Sequence, residues 1–238
     1  MELSIIIPAF NEANKIGEDV TAAGEFLTAQ KITGEIIVVD DGSKDGTAAA
    51  AERVQTAEQT PVVILSLVRH RGKGFAVRSG IAQAEGEFIM FADSGLCVPF
   101  QYAVTGLNLI KRGECHIAHG SRKLPESIIL NPQSFSRRVS AKFFRRLMIN
   151  WLKLSTDLTD TQCGFKIYRG EIARELYGQC ESDGFMFDVE IILRALRSGY
   201  RIKEFPVQWT ADRDSRLSLA KSPWGMMIEL LRIKRKLQ

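Results

Sequence analysis

The sequence predicts an α/β protein with a mostly parallel sheet flanked by helices and a C-terminal amphipathic helix. Three observations carry this. Short runs rich in Val and Ile alternate with segments of helical periodicity through the first half. These runs are apolar along their whole length, and three of them end on polar residues. Such alternation implies βαβ units with right-handed crossovers, and ligands on such sheets sit beyond the carboxyl ends of the strands.

In chain order, "LSIIIP", "EIIVVDD", "PVVILSL" and "EFIMFAD" read as buried parallel strands. Helical spacing follows near residues 14–29, 45–58, 74–84 and 99–112. The strand ends present Asn11 and Glu12, then Asp40 and Asp41, then Asp93. The second half is less regular. "HIAHGSR" reads as a strand, residues 134–154 as a long basic and aromatic helix, and "QCGFKIYR" as a short strand before a helix from about Gly170. "FMFDVEIILRALRSG" is a helix stopping at Gly199, "RIKEFPVQW" a strand, and "SPWGMMIELLRIKRK" a final helix with Pro223 near its start.

Composition bounds the rest. With 238 residues, 45% of them hydrophobic and 25% charged, the chain can bury an ordinary core. No linker, repeat or low-complexity stretch divides it, so a single domain over 1–238 is expected. Basic residues thicken after Arg122 and again in "LLRIKRKLQ", so the second half carries the positive excess behind the net charge of +4. Cys97, Cys115, Cys163 and Cys180 form no C-x-x-C pair, which suits reduced thiols in a cytoplasmic setting. "LSIIIPAF" is too short and lacks the basic leader of a signal peptide, and no apolar run reaches the length of a membrane span.

"VVDDGSKDGT" is the strongest single motif. Two adjacent carboxylates suit hydrogen bonding to a base N–H and ribose hydroxyls, which are donors, and do not suit direct phosphate contact. The same residues also serve as a plain turn and helix cap. "RGKG" at 71–74 opens a helix, so Arg71, Lys73 and free N–H groups can face an anion, or form a solvated turn. Neither G-x-G-x-x-G after the first strand nor a P-loop is present. His116 and His119, three apart on a strand, point to opposite faces and are not a shared metal pair.

"SIIIPAFNEANKI", "EIIVVDDGSKDGT", "RGKGFAVRSG", "FADSGLCVP", "GSR", "DTQCGFKIYR" and "FMFDVEII", in that order, resemble the family 2 inverting glycosyltransferases. The resemblance is to the branch that makes dolichyl-phosphate glucose, with the mannose synthases a step further. It covers nearly the whole chain. It implies a GT-A type nucleotide-binding domain and a nucleotide-sugar donor, with residues 1–120 as the nucleotide-sugar half and 121–238 as the acceptor and membrane-facing half.

By position, the resemblance implies that Pro8, Phe10, Glu12, Asp40 and Asp41, with Lys73, hold the nucleotide. Asp93 matches the first acid of the D-x-D metal motif, whose second acid is replaced by Gly95. Mg²⁺ or Mn²⁺ is the implied cofactor. One Asp suffices in principle, because Mg²⁺ is commonly fixed by one or two carboxylates together with substrate phosphates. Cys97, a soft ligand, is improbable for it. Arg122, Arg137 and Arg138 match basic residues that meet phosphate in relatives, and Arg213 and Arg216 take the places of a basic tail with altered spacing. Asp93, Arg122, Arg138 and Arg213 are the catalytic candidates, and Arg137, Asp160, Gln162, Asp188 and Arg216 the acceptor-side ones. Asp188 and Glu190, two apart on a helix, cannot share a face, so one is expected at the rim of the site and one in a structural role.

The implied reaction is inverting transfer of a hexose, glucose from UDP-glucose, to a polyprenyl phosphate. The partners are the nucleotide sugar, the lipid phosphate and an anionic membrane surface, with no nucleic acid. The location is cytoplasmic, peripheral on the cytoplasmic membrane face. Two rivals share the nucleotide motifs: a family 2 transferase with a soluble or polysaccharide acceptor, and a non-catalytic nucleotide-sugar-binding protein.

Overall fold

A computed structural model describes residues 1–54, 56, 60–131, 158–211 and 223–236. Seven strands form one sheet in the order β3-β2-β1-β4-β7-β5-β8: β1 (Leu3–Ala9), β2 (Gly34–Asp40), β3 (Val62–Ser66), β4 (Phe88–Ala92), β5 (Ile117–Ser121), β7 (Phe165–Arg169) and β8 (Ile202–Pro206). The neighbours β3-β2, β2-β1, β1-β4 and β5-β8 are parallel, while β7 runs antiparallel between β4 and β5. A second, two-stranded sheet pairs β6 (Ile128–Asn131) with β9 (Gln208–Thr210).

The helices are α1 (Ile16–Gln30), α2 (Thr47–Glu52), α3 (Lys73–Gln83), α4 (Ala103–Lys111), α5 (Gly170–Gly178), α6 (Phe187–Arg197) and α7 (Pro223–Lys236). Strand periodicity splits the core in two. Leu3, Ile5, Ile7, Ile36, Val38 and Met90 face α1 and α4, whereas Ile6, Ile37, Val39, Ile89 and Phe91 face α3, α5 and α6. A third cluster joins α6 to α7, with Leu230 and Ile233 buried against Val189, Ile192 and Leu193, while Leu231, Arg232, Arg235 and Lys236 are exposed.

Three differences from the sequence reading have physical causes. "PVVILSL" is a half-exposed edge strand, with Val63 42% exposed, because β3 has a neighbour on one side only. "RIKEFPVQW" is two strands in different sheets, and Val207 between them supplies the carbonyl that accepts from the Ile128 N–H. β6 went unread because "IIL" is short and exposed. The expected helix at 134–154 lies outside the described residues.

Candidate active site

The carboxyl ends of β1, β2 and β4 converge, and the polar residues after them tie their loops together. The Asn11 N–H donates to Ser43 Oγ (2.7 Å), the Lys44 N–H to Asn11 Oδ1 (2.9 Å), the Glu12 N–H to Thr47 Oγ1 (2.8 Å) and the Ala13 N–H to Asp45 Oδ2 (3.1 Å). The "NEAN" and "DGSKDGT" motifs are therefore two halves of one cross-linked rim, and Ser43, Asp45 and Thr47 act as turn and cap residues. Asp40 accepts from the Ser43 N–H at Oδ1 (3.0 Å). Asp41 is buried and reaches across to the turn before α3. Its oxygens accept from the Arg71 N–H (2.8 Å) and the Gly72 N–H (2.7 Å), and Oδ2 lies 2.8 Å from His70 Nδ1. The anion facing the "RGKG" turn is thus this protein's own Asp41. His70 in turn stacks on Phe10, with ring centroids 4.0 Å apart.

Gly72 has φ +119, and an added Cβ would stand 2.5 Å from the Asp183 carbonyl oxygen, so only glycine fits where this turn meets the 182–184 segment. Arg71 and Arg78 both pair with the Asp183 carboxylate (2.8 and 2.6 Å).

Lys73, the first residue of α3, aims at Asp93 at the end of β4: Nζ is 2.5 Å from Oδ1. Burial pulls the Lys73 pKa down, but Asp93 and Asp188 outweigh it and leave it raised. Asp188 is itself buried and paired with Lys166 of β7, whose ammonium also donates to the Thr161 carbonyl (3.0 Å). Burial raises the Asp188 pKa against the pull of Lys166 and Lys73. Asp93, Lys73, Asp188 and Lys166 thus form a series of alternating charge from the surface inward, with the side chain of Asp93 35% exposed and that of Lys166 1%.

β7 enters the sheet at this point. The Asp93 N–H donates to the Gly164 carbonyl (2.8 Å), and an added Cβ on Gly164 would lie 2.0 Å from the Asp93 carboxylate. On the other side of β7, Asp160 grips Arg122 through Nε–H···Oδ2 (2.6 Å), Nη2–H···Oδ1 (2.7 Å) and the Arg122 backbone N–H (3.0 Å). Glu204 of β8 accepts from the Thr159 and Asp160 N–H groups (2.9 and 2.6 Å). Burial would raise the Asp160 pKa, yet Arg122 holds it well below the usual carboxylate range. The Arg122 guanidinium also lies 5.2 Å from the Trp209 ring centroid.

The loop after Asp93 takes its anchor from α1. Buried Asp19 accepts from the Gly95 and Leu96 N–H groups (2.9 Å each), and burial pushes its pKa up to about 6. Gly95 and Leu96 both have positive φ, +84 and +47. An acid at position 95 would be strained, which removes any simple restoration of the D-x-D motif.

Phe10, Glu12, Asp40 and Asp41 therefore share one rim with Lys73 and Asp93 beside it, Pro8 is buried in β1 beneath, and Arg122 and Asp160 pair on the far side of β7, with Gln162 in the segment that leads into that strand. Arg137, Arg138, Arg213 and Arg216 lie outside the described residues. One expectation is corrected: neither acid of "FDVE" stands at an open rim. Asp188 is consumed by Lys166, and Glu190 by the Glu181 and Ser182 N–H groups and by Arg194, because α6 is packed on two faces, at Phe187 and Ile191 and again at Val189 and Ile192. Sequence reading missed Lys166, Asp19 and Glu204. Lys166 carried a signal, a charge inside an otherwise apolar strand; Asp19 and Glu204 looked like ordinary surface acids. His119 proves a core histidine, buried edge-on to Tyr168, with both ring nitrogens unpartnered and its pKa well lowered by burial.

Among the described residues no three His, Cys, Asp or Glu side chains gather for a metal. The donor set at Asp93 fits one protein ligand of a hard cation that arrives with its own phosphate oxygens, as Mg²⁺ does, and does not fit a self-sufficient site.

Relatives include dolichyl-phosphate beta-glucosyltransferase of Dictyostelium discoideum (30% identical, covering 98% of this chain and 73% of that protein) and of Homo sapiens (32%, 91% and 69%). Glycosyltransferase AglD of Haloferax volcanii is 30% identical over 98% of this chain, which spans only 37% of that protein. Glucosyl-3-phosphoglycerate synthase of Mycobacterium tuberculosis, solved with Mn²⁺, UDP and glucosyl-3-phosphoglycerate, superposes with a TM-score of 0.66 at 20% identity, over 99% of this chain and 77% of that one, and shares the fold. The Glycosyl transferase family 2 model matches residues 4–177, and the chain belongs to that family of glycosyltransferases.

Proposed function

We propose that the protein transfers glucose from UDP-glucose to a polyprenyl phosphate with inversion at the anomeric carbon. The relatives named dolichyl-phosphate beta-glucosyltransferase support the sugar and the lipid acceptor. The observation that carries the reading is the Lys73–Asp93 pair, partly exposed at the end of β4 beside the cross-linked nucleotide rim.

In this reading Pro8, Phe10, Glu12 and Asp40 line the nucleoside, and Asp41 acts behind them by fixing the turn that carries Lys73. The acceptor is a phosphate monoester with a second pKa near 6, largely dianionic at neutral pH, so it attacks without a strong general base. Its oxygen forms the new bond to the anomeric carbon as the bond to UDP breaks and UDP leaves with the electron pair. The protein must hold the two substrates in line and offset the charge on the departing diphosphate. Lys73 supplies a cation there. A divalent ion, Mg²⁺ or Mn²⁺, would act as a Lewis acid on the leaving oxygens, with Asp93 as its protein ligand. Arg122, held by Asp160, and Arg137, Arg138, Arg213 and Arg216 serve the acceptor phosphate.

No helix among the described residues is long and apolar enough to cross a membrane. The enzyme is proposed to meet its lipid at the cytoplasmic, anionic face of a membrane, using basic residues such as Lys234 and Arg235. The apolar side of α7 at Leu230 and Ile233 is already spent on α6, so this attachment is chiefly electrostatic and salt-sensitive.

The test is incubation with UDP-[¹⁴C]glucose and a short polyprenyl phosphate, followed by organic extraction. Label should enter the organic phase as an alkali-stable phosphodiester, and not with Asp93→Asn. Label retained entirely in the aqueous phase would refute the lipid acceptor, and the soluble-acceptor alternative would replace it.

A further inference from the structure

We infer that Lys73 is a lock on Asp93. It occupies the carboxylate until a diphosphate offers a stronger anion, so Asp93 accepts a divalent cation only once nucleotide is in place. This rests on the nucleotide-sugar reading above.

Three observations carry it. First, a lysine at the opening residue of an 11-residue helix sits at the positive end of the helix dipole, where a cation is disfavoured unless an anion compensates. That anion is Asp93, with Nζ 2.5 Å from Oδ1. Asp188, the other carboxylate acting on Lys73, is committed to Lys166. Second, the pair is neither sealed nor free, with side chains 18% and 35% exposed, and the Lys73 ammonium lies 5.7 and 5.9 Å from the Phe91 and Phe187 ring centroids. These buried rings form a cation-tolerant floor beneath the ammonium. Third, Gly95 takes the place of the motif's second acid, its N–H tied to Asp19, so that position offers nothing to a metal ion that displaces the ammonium. A diphosphate carries more negative charge than one carboxylate, so it can draw Lys73 off Asp93 and bring the missing oxygen ligands with it. The exchange is reciprocal: nucleotide strengthens metal binding and metal strengthens nucleotide binding.

The experiment measures Mn²⁺ binding without nucleotide by paramagnetic resonance of the free ion, and UDP binding in chelator by calorimetry. Lys73→Met should bind Mn²⁺ alone about tenfold more tightly than wild type, and UDP in chelator about tenfold more weakly. The gain in Mn²⁺ affinity should vanish when Asp93→Asn is added. Lys73→Gln, which keeps a polar end, repeats the comparison should Lys73→Met lower the melting temperature. Equal Mn²⁺ affinity in wild type and both Lys73 variants overturns the lock, whatever UDP does. A wild type that binds neither UDP nor UDP-glucose overturns the nucleotide-sugar reading instead, and the Mn²⁺ comparison still decides the lock.

Discussion

Two ion pairs stand on either side of the turn into β7, and they are built to opposite ends. Asp160 accepts three hydrogen bonds from Arg122, is itself held through its backbone by Glu204, and is 1% exposed. Asp93 meets Lys73 at one oxygen and keeps a third of its side chain in solvent. The first pair uses three acceptor positions of an Asp160 that is closed to solvent, and fixes a loop. The second leaves a carboxylate with room for another partner. The same chemistry becomes a joint or a site according to how many of its lone pairs the fold has already used.

That contrast can be broken by mutation. Asp160→Asn removes the charge and leaves Arg122 largely buried without a counter-ion, so unfolding in urea should show a loss of about 3 kcal/mol. A change near zero would mean that Arg122 finds another anion and that the joint is not a joint. Asp19 tests the intermediate case, a buried carboxylate with N–H partners and no cation. Its folded pKa, about 6, lies above the ordinary value of 3.8, so its contribution is fully present below about pH 4 and is lost as pH rises through about 6. Asp19→Asn should therefore gain stability relative to wild type between pH 4 and pH 7, by on the order of 2 kcal/mol. Parallel pH–stability curves for the two proteins would refute the shift. The smallest stability effect is expected where function is concentrated. Asp93→Asn should cost less than Asp160→Asn, about 1 kcal/mol, because this pair is partly exposed and screened by solvent, while lowering glucose transfer on the order of a hundredfold. A melting temperature lowered as far as in Asp160→Asn would place Asp93 with the joints.

Much of this architecture was legible in the sequence, for reasons that also mark the limit. The βαβ alternation and the strand-end acids were readable because period and burial are local properties. So was the helix stop at Gly199, whose φ is +75. Asp41 illustrates the limit. Its position at the end of β2 was evident, but its bonding to the turn 30 residues on depends on tertiary approach, which no spacing encodes. Lys166 and Asp188 likewise looked like independent charges until β7 and α6 brought them together. The reversed direction of β7 was unreadable too, because a short apolar strand carries no mark of its polarity.

That reversal bears on how the chain acquires its activity during synthesis. β7 lies between β4 and β5, pairing Phe88 with Arg169 and Ile117 with Tyr168, so two strands made early wait for one made about 50 to 80 residues later. Until residues 165–169 emerge, β4 and β5 each present an unpaired edge, and Asp93 lacks the Gly164 carbonyl its N–H bonds to. A chain arrested near residue 120 would carry the strands of the nucleotide rim with an adhesive flank. Closure of that gap, a contact of high sequence separation and therefore slow, covers the facing edges of β4 and β5 and gives the Lys73–Asp93 pair its final surroundings, and β8 then covers the other edge of β5.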